Sequence, residues 1–550
     1  MINLTINNLP VAVPEGATIL DAAVKAGIDI PTLCYLKEIN AIGACRICVV
    51  EVKGARGLVT ACVYPVTEGM VVQTNTKRVL DARRRTLNLI LSNHNQDCTS
   101  CGRSHNCELQ ALANAYGADR NQFAGAMQEG RVDDSTGYLV RDNSKCILCR
   151  RCEAVCRKVQ DTGVIGANQR GFKTHIGCAF ELPLNQSPCG ACGQCINVCP
   201  TGALSERSEI EDVVAALSDP KKHVVVGTAP AVRAAIGEEF GLPLGTNAEG
   251  KMATALHMLG FDRVLDVNMT ADLTIMEEGT EFLHRLKEGG TLPMITSCSP
   301  GWIRYVEAYY PELLPNVSSC KSPQQMFGAI VKSYYAQKNG IDPHDIYVVS
   351  VMPCIAKKAE KLRADQGRDG MPDIDAVLTT RELAKLIRRY GISFNALPDG
   401  TFDHPFGAST GAGVIFGTGG GVMEAALRTV AELVNGRPLE NVEFKKVRAG
   451  HEIKEATVPL DGIDVKVCVV NGLSNVKKVM ENVKAGKAQY HFIEVMCCPG
   501  GCINGGGQPL VPSKVRNATD YLSLRRNALY TQDKKSALRK SHENPIVKEI

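Results

Sequence analysis

At 550 residues the chain has room for three or four domains of about 150 residues each. Its 62 basic and 58 acidic side chains leave a net charge of +4, too even to favour nucleic acid or an anionic membrane as a partner. No apolar run approaches the ~18 residues of a spanning helix, and MINLTINNLP lacks the basic and apolar regions of a secretory signal, so a cytoplasmic location is expected. In chain order, the alternation of Ile2, Leu4 and Ile6 predicts a strand. A short helix follows in TILDAAVKAG, with Thr18 and Asp21 spaced as a capping box and Gly27 as the stop. The runs VVEV and GLVTAC read as strands, which makes residues 1–80 a small α+β domain. Residues 81–125 read as helical, with Arg83, Arg84 and Arg85 as a solvated face rather than a docking patch. Residues 126–210 are loop-rich. From about residue 220, helical stretches alternate with the apolar runs HVVVGTAP, TLPMITSC, IYVVSVMPC, DAVLTT and YHFIEVMCC. That pattern predicts a layered α/β domain with largely parallel strands. Three of the runs end in cysteine motifs, and in open α/β sheets such loops meet at one site beyond the carboxyl ends of the strands.

Cysteine is the unusual residue: 23 in all, sixteen of them before residue 200. A chain with an ample core needs no disulfide staples, so close-spaced cysteines in a reducing compartment read as metal ligands. Cys34, Cys45, Cys48 and Cys62 are near the plant-type 2Fe–2S spacing, with a longer first gap; structural zinc is the competing reading. In HNQDCTSCGRSHNC, Cys98, Cys101 and Cys107 leave a 4Fe–4S cubane one ligand short. His94 or His105 could complete it, and a zinc site of three cysteines and one histidine is the alternative. Next, Cys146, Cys149, Cys152 and Cys156 recur in spacing as Cys189, Cys192, Cys195 and Cys199, followed by Pro200. In this bacterial ferredoxin run the fourth cysteine ligates the other cluster. Cys146, Cys149, Cys152 and Cys199 are therefore expected around one 4Fe–4S cluster, and Cys189, Cys192, Cys195 and Cys156 around the other. Later cysteines gather in TSCSPGW (296–302), MPCIAKK (352–358) and EVMCCPGGCINGGGQP (494–509). Cys178, Cys320 and Cys468 have no partners at ligand spacing and read as buried small residues.

With these three loops and the accessory motifs, the chain resembles the FeFe-hydrogenases over essentially its whole length, specifically the long clostridial type with four accessory clusters. The resemblance implies a multidomain α+β and α/β fold. Its parts would be a 2Fe–2S ferredoxin-like domain (1–80), a 4Fe–4S domain with one histidine and three cysteine ligands (81–125), a two-cluster ferredoxin domain (126–210) and a large α/β H-cluster domain (211–550). The implied H-cluster is a cysteine-bound cubane bridged to a diiron unit carrying CO, CN and azadithiolate, and the implied reaction is reversible proton reduction to hydrogen. By the same resemblance Cys354 and Cys498 match cubane ligands and Cys502 the bridging cysteine. Lys357, Met352, Met496, Pro230, Ala231, Phe416 and Gly417 match the diiron pocket. Glu278, Glu281, Arg285 and Ser318 match a proton path running Glu281, Ser318, Glu278, Cys298, and His94 matches the unusual cluster ligand. The chain departs from the family at TSCSPGW, where the family commonly has two cysteines. Either Ser299 ligates the cubane and Cys298 relays protons, or Cys298 takes the ligand role. Ala231 is a smaller departure, since the long clostridial type usually has serine there. The expected electron donor is a small ferredoxin. A flavoprotein subunit oxidising NAD(P)H in an electron-bifurcating complex is the alternative, and dedicated maturation proteins are implied. No GxGxxG stands at a strand–helix junction, so NAD binding by this chain is not expected, and the GTGGG run at 417–421 reads as a tight turn or pocket wall. A respiratory dehydrogenase subunit is disfavoured by the three late loops. A hydrogen sensor or a cluster-assembly scaffold is disfavoured by retention of Glu278, Glu281, Ser318 and Cys298.

Overall fold

The structure is a computed structural model and describes residues 1–119, 121–123, 125–448, 450, 452–460 and 462–550. The chain begins with a five-stranded sheet in the order Leu9–Val13, Ile2–Ile6, Met70–Gln73, Val49–Val52, Val59–Thr60. Ile2–Ile6 pairs parallel with Met70–Gln73, and the other pairs are antiparallel. Of the run GLVTAC, only Val59–Thr60 is strand. Helix Ile19–Lys25 starts with the expected capping box. The Thr18 hydroxyl accepts from the Asp21 N–H, and the Asp21 carboxylate accepts from the Thr18 N–H. Its Ile19, Leu20, Ala22 and Ala23 then join Leu4, Ile6, Val50 and Val72 in one core.

Residues 81–125 hold two helices, Lys77–Ser92 and Glu108–Ala115, separated by the cysteine loop. The expectation that Arg83, Arg84 and Arg85 share a solvated face is corrected here. Arg83 is buried, donating to the Val49 carbonyl at 2.9 Å and to the Tyr116 hydroxyl at 3.1 Å, while Arg84 and Arg85 are exposed. Successive helical residues turn by about 100°, so three in a row do not share a face. Beyond them, strands Leu204–Glu206, Leu139–Asp142 and Val132–Asp133 form a small antiparallel sheet. The two cysteine repeats each contribute a short helix, Arg151–Lys158 and Gln194–Val198, and these pack together.

The later half is built on two four-stranded sheets. The first has the order Arg263–Asp266, His223–Thr228, Ile346–Met352, Ala376–Thr379 and is wholly parallel. The second has the order Met294–Ile295, Phe492–Met496, Ile463–Asn471, Lys454–Leu460, with the last strand antiparallel. Strands Ile346–Met352 and Phe492–Met496 are interior to their sheets and almost wholly buried, which explains their continuous apolar runs. Helix Asn268–Glu288 follows strand Arg263–Asp266 and stops at Gly289, whose φ is +82°. Among the described residues no helix is long and apolar enough to cross a membrane.

Candidate active site and cluster cavities

Strands from both sheets point their carboxyl ends at one cavity of about 820 Å³, counted out to its opening. His223–Thr228 leads to Pro230, Met294–Ile295 to Cys298 and Ser299, Ile346–Met352 to Cys354 and Lys357, and Phe492–Met496 to Cys497, Cys498 and Cys502. Met352, Met496, Phe416 and Gly417 complete much of the wall. Ala231, expected in the pocket, lies outside that wall. Helix Pro230–Arg233 turns it behind Gly417, whose Cβ, if present, would stand 3.2 Å from the Ala231 methyl, and its carbonyl accepts from the Gln508 amide at 2.8 Å. The GTGGG run is pocket wall at Gly417 and cap at Gly420, which precedes helix Gly421–Asn435 at φ +85°.

The donor set fits an iron–sulfur centre with anionic ligands. Three thiols, from Cys354, Cys498 and Cys502, share the cavity with Lys357, and soft thiolates are the preferred ligands of such clusters. Lys357 is 9% exposed and donates to both Glu360 oxygens at 3.1 and 3.0 Å. Glu360 also accepts from the Ser322 hydroxyl and the Gln324 amide, each at 2.9 Å. Sequence reading found none of Glu360, Ser322 and Gln324, because none stands out as part of a motif. The buried Gln325 Oε1 has no hydrogen-bond partner among the described residues.

On the other side of Cys298 lies a pair of acidic side chains. Glu278 and Glu281 sit one turn apart on helix Asn268–Glu288. Glu281 accepts from the Ser318 hydroxyl at 2.9 Å, the Ser319 N–H at 3.0 Å and the Arg285 guanidinium at 2.6 Å. Burial pushes its carboxyl up, but hydrogen bonds from Ser318 and Arg285 outweigh burial and hold it below the ordinary range. Glu278 is 2% exposed, and among the described residues neither of its oxygens meets hydrogen-bonding geometry. Burial pushes it up to about 7. Burial also raises the Cys298 thiol, with Glu278 adding to the rise and Lys357 opposing it. Cys178 and Cys468 are buried as expected. Cys320 is not; it is half-buried, and its thiol donates to Glu281 at 3.8 Å. The turn after Ser318 swings it toward helix Asn268–Glu288, where no sequence spacing would place it. Glu494, also unforeseen, accepts from the N–H groups of Gly420 and Met423 and is pushed up to about 7 by burial.

The two ferredoxin-type sets of cysteines each gather around a cavity. Cys156, Cys189, Cys192 and Cys195 line a cavity of about 540 Å³, and Cys146, Cys149, Cys152 and Cys199 line one of about 390 Å³. In the N-terminal sheet domain the Cys48 and Cys62 sulfurs are 3.3 Å apart, and the Cys34 thiol contacts those of Cys45 and Cys62. His94 is 9% exposed, its Nδ1 has no hydrogen-bond partner among the described residues, and burial lowers it to about 4, which favours the neutral imidazole. His105 is exposed. Cys107 caps helix Glu108–Ala115, accepting from the Gln110 N–H, and the Cys101 sulfur stands 2.6 Å from where a Gly202 Cβ would be. None of the 23 cysteines is in a disulfide.

The cluster groups and the main cavity touch. A Cβ on Gly506 would lie 2.4 Å from the Cys192 carbonyl, so the backbone of one cysteine loop rests directly on the other. Arg381 clamps this contact, donating to Glu206 at 2.7 Å and to the Gly506 and Gln508 carbonyls at 2.8 and 2.6 Å. From the far side, helix Tyr521–Lys535 sends the buried Arg525 to the Ile503 carbonyl and to Glu238, while Leu529 packs beside Gly417.

A family model described as iron only hydrogenase large subunit, C-terminal domain, matches residues 222–506. Others match a 2Fe–2S cluster binding domain at 1–77, an NADH-ubiquinone oxidoreductase-G iron–sulfur binding region at 83–122, a 4Fe–4S dicluster domain at 145–203 and the iron hydrogenase small subunit at 519–550. The chain belongs to the iron-only, or FeFe, hydrogenase family: an oxidoreductase with 2Fe–2S and 4Fe–4S domains ahead of an H-cluster domain. It is 50% identical to the NADP-reducing hydrogenase subunit HndD of Solidesulfovibrio fructosivorans, over all of this chain and 95% of that one. It is 45% identical to iron hydrogenase 1 of Clostridium pasteurianum, over 99% of this chain and 95% of that one. A solved structure of a variant of the FeFe-hydrogenase HydA1 from Chlamydomonas reinhardtii matches 62% of this chain and 93% of its own, with a TM-score of 0.55 and 43% identity.

Proposed function

We propose that this chain catalyses the reversible reduction of protons to molecular hydrogen in the cavity between the two sheets. One observation carries the reading: the cavity wall that bears Cys354, Cys498 and Cys502 meets, at Cys298, the buried acid Glu278, with Glu281 and Arg285 on the same helix face beyond it and Ser318 hydrogen-bonded to Glu281. When bound, the H-cluster supplies the iron centre at which protons and electrons combine. The protein does the rest. Arg285 holds the Glu281 carboxylate at the outer end of this group, and Ser318 both donates to Glu281 and can pass a proton inward. Glu278, with its carboxyl near neutrality, can hold or release a proton at ordinary pH, and Cys298 stands between it and the cavity. Lys357, oriented by Glu360, offers a fixed cation to anionic ligands. The apolar methionines and Phe416 keep the cavity dry.

Cys354, Cys498 and Cys502 are the proposed sulfur ligands of the H-cluster. His94 with Cys98, Cys101 and Cys107, and the two ferredoxin-type sets, are the proposed 4Fe–4S sites, with Cys34, Cys45, Cys48 and Cys62 holding the 2Fe–2S cluster. Support for His94 over His105 is its burial and unpartnered ring nitrogen. The corresponding domains are 1–80, 81–125, 126–210 and 211–550. Ferredoxin is the proposed electron carrier, the close-spaced cysteines proposed as cluster ligands favour a reducing, cytoplasmic location, and dedicated maturation proteins belong to the same reading. A second reading has its own support: 50% identity with an NADP-reducing hydrogenase subunit over the whole chain favours a complex with an NAD(P)H-oxidising flavoprotein. The test is hydrogen evolution from reduced viologen by anaerobically matured protein, beside a working FeFe-hydrogenase. Robust evolution is expected. No evolution, with the control active, would favour a sensor. Co-purification of a flavoprotein from the native host would decide for the second reading.

A further inference from the structure

Ser299 leaves the H-cluster cubane one thiolate short, and the structure holds a substitute that no sequence motif marked. Cys354, Cys498 and Cys502 account for three sulfurs in the cavity wall. A serine hydroxyl is a poor fourth ligand, since it stays protonated across ordinary pH and iron–sulfur clusters prefer soft thiolate. Besides Cys192, which the second ferredoxin-type set claims, two other thiols line the same cavity, those of Cys298 and Cys497. They are not equivalent. Cys298 stands at the acidic end, where its charged neighbours are Glu278, Lys357 and Glu494. Cys497 stands beside Ser299. Its backbone N–H donates to the Ser299 hydroxyl at 3.1 Å, which pins the two residues together across the ends of strands Met294–Ile295 and Phe492–Met496.

The Cys497 sulfur lies over the first turn of helix Pro300–Tyr309, 2.6 Å from where a Gly301 Cβ would stand. Only glycine at 301 leaves room for it. The same thiol is in contact with those of Cys498 and Cys192, so it sits where the main cavity meets the accessory-cluster loop. One change of χ1 well carries a cysteine sulfur about 3 Å, enough to swing it along the wall toward the Ser299 position. We propose that Cys497 is the fourth cubane ligand, the ligating thiolate having moved from residue 299 to residue 497, and that Cys298 is thereby left free for proton transfer. This rests on the H-cluster reading of the cavity.

The test uses the full chain, produced without the diiron-maturation proteins and purified anaerobically. Its readouts are iron per chain and the electron paramagnetic resonance of the reduced clusters. Cys497→Ala is expected to lose about four irons and the cubane signal while keeping the accessory-cluster signals, which also report a folded chain. Ser299→Ala and Cys298→Ala are expected to keep both. The double variant Cys497→Ala with Ser299→Cys should regain them. Retention of the cubane in Cys497→Ala overturns the proposal, as does its loss in Ser299→Ala or Cys298→Ala. Cys354→Ala separates the two levels: if it too keeps full iron and signal, the cavity is not the cubane site and the functional reading itself fails.

Discussion

Glu281→Gln is the sharpest perturbation of the proposed proton path. The amide keeps the volume of the side chain, and its oxygen can still accept from Ser318 and Ser319. Its NH2 group, however, would face Arg285, which now donates to Glu281 at 2.6 Å. Losing that charge-assisted bond costs about 1.5–3 kcal/mol locally. Arg285 remains anchored by the Val317 carbonyl at 3.0 Å and by the Asn316 carbonyl at 3.2 Å, so the site should keep its shape. What disappears is an ionisable group. Positioned proton donors and acceptors contribute roughly 10²–10⁴-fold to rate, or ~3–5 kcal/mol at 1.36 kcal/mol per decade. Hydrogen evolution from reduced viologen should therefore fall at least about 100-fold at unchanged iron content. Glu277→Gln, on the exposed face of the same helix, should leave turnover unaltered. A Glu281→Gln enzyme within about twofold of the unmodified protein, at equal iron, would refute the path.

Three further outcomes follow from the geometry. Lys357→Asn strands Glu360 without its cation, so the diiron unit should be held more weakly, seen as weaker CO and CN infrared bands at equal accessory iron; bands of full strength would remove that role. Glu278 is pushed up to about 7 from the ordinary 4.5, so between those values the folded chain holds a proton that the unfolded chain has released. Stability therefore falls as pH rises through that window, by as much as ~3 kcal/mol. Glu278→Gln should match the unmodified chain in thermal scans at pH 4 and exceed it above pH 7; parallel profiles would count against the burial argument. Gly506→Ala would set a methyl group 2.4 Å from the Cys192 carbonyl and 2.6 Å from the Gly193 Cα, backbone atoms that no rotamer change relieves. A loss of ~1–3 kcal/mol is expected, with slower viologen-driven evolution, and unchanged thermal scans and rate would show that the two loops do not depend on this contact.

Local and repetitive features were legible in the amino-acid order. The Thr18–Asp21 capping box needs only a three-residue spacing, and the ferredoxin-type runs announce themselves by repetition. The buried strands of the later half were legible because they are apolar on both faces. The hairpin Lys454–Leu460 with Ile463–Asn471 was not, since half of its outer strand is exposed and the alternation hides among charges. Nor did the apolar runs disclose that they divide between two sheets, which is a matter of pairing between distant segments. Arg83 was misread because a run of like charges hides the turn of the helix beneath it. Glu360, Cys320 and Glu494 were missed for a common reason: each acts through partners brought close only by folding, Glu360 through Ser322 and Gln324, Cys320 through Glu281, Glu494 through Gly420 and Met423.

Helix Tyr521–Lys535 lies within the segment matched by the small-subunit family, yet it is joined by peptide bonds to the domain whose cavity wall it backs at Gly417. Linkage turns an association into an internal docking step, with an effective concentration of the order of millimolar set by the connecting backbone. The Arg525 contacts to Ile503 and Glu238 then do not depend on how much of a second polypeptide a cell makes. Diluting the enzyme cannot strip this support from behind the cavity wall, so specific activity should hold at concentrations where a two-chain assembly would begin to come apart.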